Sequence, residues 1–156
     1  MSFIVSGLEA GEFAHLFGKS DEELRAVGAC AYVADGHPGF PCRVALKDVE
    51  PGTRVILLNY AHLNVPTPYN SRHAIFVTDG AQAVRLEPDH VPEILSIREA
   101  LSLRAFDRAH MMIDARVIPG AKTAETLDEL LSDVSVSYIH AHTAGRGCFL
   151  ARVDRV

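Results

Sequence analysis

Val136–Asp154 reads VSYIHAHTAGRGCFLARVD, and its alternation decides how the chain is understood. Val136–His142 alternates residue types as a β-strand does, Thr143–Gly147 is a Gly-containing link, and Cys148–Asp154 alternates again, so the stretch predicts a hairpin. Side chains on a strand point to opposite faces in turn. Tyr138, His140 and His142 therefore share one face, and Ser137, Ile139 and Ala141 the other. In the second strand Phe149, Ala151 and Val153 share a face, opposite to Cys148, Leu150, Arg152 and Asp154. Simple pairing across the link sets His142 opposite Cys148 and Tyr138 opposite Arg152. One face is apolar and core-like. The other gathers Tyr138, His140, His142, Cys148, Arg152 and Asp154, the most chemically loaded surface in the chain.

Working backward, Thr123–Asp133 is the clearest helix. Leu127, Leu130, Leu131 and Val134 fall at helical spacing, with acids on the other side, so one stripe packs on a sheet. Leu101–Asp107 and Met111–Ile118 read as two strands joined by a short hairpin link. Pro92–Ile97 suits a helical turn. Arg72–Thr78 is a strand closed by Asp79-Gly80, and Leu63–Ser71, punctuated by proline, is a loop. Arg54–His62, RVILLNYAH, is the strongest strand, its apolar start suiting burial on both faces.

Arg43–Lys47 reads as a further strand, delivered by the Gly/Pro-rich loop Ala34–Cys42. Ser20 and Glu23 have capping-box spacing for a helix that Gly28 ends. Phe13, Leu16 and Phe17 suit a preceding helical turn, and Met1–Gly7 a first strand. The sum is about seven strands and two or three helices, with many connections too short for parallel crossovers. The predicted fold is a single α+β domain over residues 1–156, around a largely antiparallel and barrel-like sheet.

Composition narrows the function classes. The 156 residues are 48% apolar and 22% charged, which suits a folded core rather than a disordered chain. A net charge of −5 with no basic run argues against nucleic acid as a partner. No apolar run spans a bilayer, and the N-terminus lacks the basic region of a signal peptide. A cytoplasmic protein with no membrane partner is expected. The three cysteines, Cys30, Cys42 and Cys148, are odd in number and lack zinc-ribbon spacing, so they read as free thiols.

Three chemistries compete for the loaded face. His140 and His142, two apart on one strand face, can converge on a divalent transition metal, with a third ligand from His62, His73, Cys148 or an aspartate. The same H-x-H pattern also occurs on strand faces that bind nothing. Cys148 opposite His142 would make an imidazole-activated thiol nucleophile, against the simpler reading of a cysteine packed beside a ring. Arg152 and the other strand arginines, Arg43, Arg72 and Arg104, would clamp a carboxylate or phosphate if they converge, or else pair with nearby acids. Phosphate loops, the nucleophile elbow and H-E-x-x-H are absent.

The candidate site is a small-molecule or anion pocket at the mouth of the sheet. His140, His142 and Cys148 are its candidate catalytic groups. Tyr138 and Arg152 line it, with Asn59, Tyr60, His62, Tyr69, Arg72 and His73 closing it from neighbouring strand ends. The alternative is a non-catalytic module that uses the same face to meet a protein partner, most simply a second copy in a homodimer.

Several blocks together resemble a known family: Gly39-Phe40-Pro41-Cys42-Arg43, Leu57–His62, Pro68-Tyr69, His73–Phe76, Leu103–Asp107, Met112–Ala115, Tyr138–His142, Gly147-Cys148 and Arg152–Arg155. The chain resembles a bacterial family defined only as domain of unknown function 1203. The resemblance implies a small, single-domain, cytoplasmic protein. It implies no reaction, ligand or catalytic residue.

Overall fold

A computed structural model describes residues 2–156; Met1, assigned above to the first strand, lies outside the described residues. In chain order the elements are β1 (Phe3–Ser6), α1 (Asp21–Ala26), β2 (Cys30–Val33), β3 (Pro41–Cys42), β4 (Lys47–Asp48), β5 (Arg54–Leu63) and β6 (Ser71–Thr78). They continue with α2 (Glu93–Ser96), β7 (Leu101–Phe106), β8 (Met112–Ile118), α3 (Thr123–Ser132), β9 (Tyr138–Thr143) and β10 (Phe149–Arg155). The fold is α+β, as expected. The barrel is not: the strands form two open five-stranded sheets, ordered β1-β10-β9-β7-β8 and β2-β5-β6-β3-β4. Every pairing is antiparallel except the short β3–β6 contact at Cys42 and Phe76.

Local chemistry explains most of the elements. Ser20 accepts from the Glu23 amide at 3.1 Å and Glu23 accepts from the Ser20 amide at 2.8 Å, so the capping box starts α1. Gly28, at φ +78, ends it. Phe13, Leu16 and Phe17 lie in two short 3-10 turns rather than an α-helix. The expected strand Arg43–Lys47 is instead a tight reversal joining β3 to β4, with Leu46 at φ +55. Helix α3 stops at Ser132, two residues short of the predicted stripe, so Val134 is 90% exposed rather than packed. Among the described residues no helix is long and apolar enough to cross a membrane.

The first sheet has two different faces. Leu101, Leu103 and Ala105 of β7, Ile139 and Ala141 of β9, and Ala151 and Val153 of β10 form one buried apolar face. It packs against Leu127, Leu130 and Leu131 of α3 and Ile94 and Leu95 of α2. This face follows from hydrophobic patterning alone. A second core, containing Phe13, Leu24, Val55, Ile75 and Val77, lies at the second sheet. A third, small cluster joins the two sheets: Leu63 at the end of β5 packs with Phe106 and Tyr138, flanked by Val65, Tyr69 and Met112. The β5–β6 link thus docks on the polar face of the first sheet. It is held there by Thr67 Oγ1, which donates to the His110 carbonyl at 3.3 Å.

Candidate metal centre

The polar face of β9 is buried inside the chain. Tyr138, His140 and His142 are each 2% exposed or less. Central position in the sheet puts β10 on one side and β7 on the other, so Arg152 and Arg104 both lie opposite His140.

Two β-bulges complete the arrangement. In β10 the register slips between Phe149 and Ala151, so His142 faces Phe149 and His140 faces Arg152. The expected pairs, His142 with Cys148 and Tyr138 with Arg152, do not form. The extra residue, Leu150, joins the apolar core, and Phe149 turns onto the histidine face. In β5 the register slips between Tyr60 and Leu63, where Ala61 and His62 of β5 lie opposite the single residue Arg72 of β6. His62 sits in that irregularity. Its ring lies 4.9 Å from His142 and 6.0 Å from His140, and stacks on Phe149 at 5.2 Å with 6° between planes.

Three imidazoles therefore converge from two sheets. One nitrogen from each of His62, His140 and His142 lies within 4.8 Å of the others. His142 Nδ1–H donates to the Gly147 carbonyl at 2.8 Å, so its lone pair resides on Nε2. That Nε2 is buried without a partner, as are both nitrogens of His62 and Nδ1 of His140. Unpaired buried polar atoms are costly in an otherwise well-packed interior.

Electrostatics keep all three rings neutral. Burial pushes His140 down to about 2, helped by His142, His62, Arg152 and Arg104. Burial likewise pushes His142 down to about 3, against the bond to Gly147, which favours the charged form. His62 falls to about 4 through burial, the Arg104 guanidinium and His73. At neutral pH each ring carries a free lone pair. Cysteine and carboxylate are absent from this ligand set, which makes it a neutral three-nitrogen cradle suited to zinc, iron, nickel or copper.

The cradle has an entrance. His62 and His142 line a cavity of about 180 Å³ with Tyr69, Asn70, Ser71 and Arg104. Arg104 Nε donates to Ser102 Oγ at 3.2 Å, and no carboxylate pairs with Arg104 among the described residues. A cation held next to three neutral imidazoles is an anion-attracting arrangement.

A family model described as a protein of unknown function (DUF1203) matches residues 39–155. The chain belongs to the DUF1203 family. The matched span contains all three histidines, Arg104 and both bulges. No curated protein and no solved structure matches this DUF1203 chain.

The remaining predicted site residues scatter around the cradle. Tyr138 shares a hydrogen bond of 2.9 Å with His110 Nδ1 and stacks on Phe106. Arg152 lies 4.0 Å over the Tyr138 ring and is held by both carboxylate oxygens of Asp154, so its charge is already matched. Asn59 and Arg72 bond to each other at 2.6 Å. Tyr60 donates to Glu12 at 2.8 Å, and burial raises its phenol. These three lie outside both cavities. His73 and Cys148 line a second, larger cavity instead. Cys148 is not the strand partner of His142; its amide donates to Thr143 Oγ1 at 2.9 Å. Arg104 and Phe149 are the members of the DUF1203 cradle that the candidate list omitted. Arg104 was visible as a strand arginine, but its neighbour β9 is more than thirty residues away and nothing local reports that pairing. His110, on the β7–β8 link, is thereby engaged with Tyr138.

Proposed function

We propose that this DUF1203 protein binds one divalent transition metal through His62, His140 and His142 and uses the open side of that metal to hold a small anionic molecule beside Arg104. The observation that carries the reading is the set of three neutral imidazoles, His140 and His142 buried and His62 half-buried, each with an unpartnered ring nitrogen and with one nitrogen from each within 4.8 Å of the others. Three protein ligands with a cavity on the fourth side match a catalytic rather than a structural zinc arrangement. In a tetrahedral site with Zn–N of about 2.05 Å the nitrogens stand about 3.3 Å apart, so metal entry would draw the rings inward.

Arg104 has two opposed effects. Its charge adds to burial in keeping protons off the imidazoles, yet it also repels a dication. A carboxylate, oxyanion or hydroxide lying between metal and guanidinium resolves that repulsion and gains a charge-assisted hydrogen bond. The reaction class supported is metal-assisted activation of water or of a carbonyl in an anionic substrate. The Gly147 carbonyl on His142 Nδ1 would act as the outer hydrogen bond that fixes a metal-ligating ring. Self-burial of Tyr138, His140 and His142 favours this pocket over a module that meets a protein partner with the same face. Three unpaired thiols support a reducing, cytoplasmic setting.

The test is elemental mass spectrometry on tag-free protein, as purified and after incubation with zinc, iron, nickel and manganese salts. One metal per chain is expected, lost in His62→Ala, which alters the most solvent-accessible ligand, and retained in Arg104→Met. Folded protein that takes up none of these metals sinks the proposal.

A further inference from the structure

The larger cavity, about 670 Å³, lies on the other side of the β9–β10 link from the histidine cradle. Its walls come from both sheets. Leu57 of β5, and His73, Ala74 and Phe76 of β6, form one side; Thr143 to Arg146 and Cys148 form the other. Arg43 and Arg98 close it.

Arg43 is the unusual member. Its residue is 2% exposed, yet no carboxylate pairs with it among the described residues. Nε donates to the Phe149 carbonyl at 2.7 Å and Nη1 to the Pro41 carbonyl at 2.6 Å. Burial lowers Arg43 to about 10, which leaves it charged at neutral pH. The nearby carboxylate, Asp48, is fully buried and committed elsewhere: it pairs with Arg98 and accepts from the Gly39 amide at 3.0 Å. At the rim, Glu99 and Arg146 are both exposed and offset each other. The excess positive charge of the walls thus resides on buried Arg43. A buried guanidinium without an anion is costly, and a cavity beside it is where an anion would repay that cost. A second observation agrees: His73 lines the same space, and its Nδ1 is buried without a partner.

We infer that this cavity is a binding site for a small organic anion, whose carboxylate or phosphate head meets Arg43 and His73 and whose apolar body lies on Leu57, Ala74 and Phe76. The volume is in the range of small-molecule sites and far exceeds that of an inorganic ion. The exposed Arg146 on the β9–β10 link stands at the entrance, where reversing its charge would leave the rim acidic beside Glu99. The site is independent of a metal in the histidine cradle.

The experiment is a thermal-shift comparison of benzoate, 1-naphthoate, octanoate and phenyl phosphate with benzyl alcohol, 1-naphthalenemethanol, 1-octanol and inorganic phosphate. Titration calorimetry of the best anion follows. At least one organic anion is expected to bind 1:1, with its neutral counterpart and inorganic phosphate at least about tenfold weaker, as loss of a charge-assisted contact implies. Arg146→Glu, on the exposed loop, and Ala74→Trp, which obstructs the cavity from an exposed position, should each weaken binding about tenfold or more while the fold by circular dichroism is kept. Metal content of the same samples should not change, which separates this site from the cradle. Absence of binding by every organic anion, equal binding by the alcohols or by phosphate, or unchanged affinity in Ala74→Trp would each overturn the assignment.

Discussion

Lowering the pH from 7 to 5 should destabilise the metal-free protein well before its carboxylates begin to protonate. His140 and His142 are 2% and 1% exposed, and their folded-state values are pushed to about 2 and about 3. In the unfolded chain both return to about 6.5. The folded values are depressed, so below about 6.5 the unfolded chain takes up protons that the folded chain refuses. Stability is therefore complete above about pH 7 and falls as the pH drops through 6.5 toward the folded values. Each histidine then costs about 1.4 kcal/mol per pH unit, so the pair removes about 4 kcal/mol by pH 5. His62 adds less, because it is only partly buried. That loss is a large share of a typical domain stability of about 5–15 kcal/mol. The assay is urea denaturation followed by circular dichroism from pH 7.5 to 5 in the presence of EDTA, read as free energy from the linear dependence on urea. A His140→Gln/His142→Gln variant should show a shallower slope by about 2.7 kcal/mol per pH unit. A flat profile between pH 7 and 5.5, or an unchanged slope in the variant, would refute the burial of neutral rings.

Phe149→Ala should cost about 3–5 kcal/mol in urea denaturation, since the ring is buried and stacks on His62. Gly120→Ala should cost about 2–3 kcal/mol, because its Cβ would lie 2.4 Å from the Leu95 carbonyl oxygen and 2.6 Å from that of Arg98. By contrast Gly145→Ala, with nothing within 4 Å of the new Cβ, should stay within about 0.5 kcal/mol on the same measurement. Ser20→Ala should lower stability by about 1 kcal/mol through loss of the α1 cap, seen as a shift in the urea midpoint at unchanged slope.

The acid lability and the proposed metal binding have a common origin in the three-histidine geometry. Burial makes the rings acid-labile, and the ring nitrogens left without a partner make them candidate ligands. A bound metal would offset the cost of the orphaned nitrogens, so metal and stability should rise together through linkage. Arg104 and Arg43 illustrate the same logic for anions. Among the described residues each is a guanidinium without a carboxylate partner, next to a cavity.

Local patterning determined a good deal of this protein. Apolar alternation in Leu101–Phe106 and Tyr138–Thr143 specified the strands and which face would be core, because a period of two leaves little choice of face. The Ser20–Glu23 box specified a helix start, because both hydrogen bonds close within one turn. The H-x-H pair of His140 and His142 was legible as a shared face for the same reason. What only the tertiary structure decided was which third histidine joins the pair, the register and the separation into two sheets. Bulges at Leu150 and after Tyr60 add one residue to a strand, and the hydrogen-bonding partner, not the strand's own sequence, determines where that residue is absorbed. Those slips turned Phe149 and His62 onto the histidines and put Phe149, not Cys148, in register with His142. The ends of β5 and β9 lie more than seventy residues apart, and they meet because Leu63, Phe106 and Tyr138 are buried together. Packing of that non-local kind depends on the whole chain's surface being removed from water, so no window of sequence contains it.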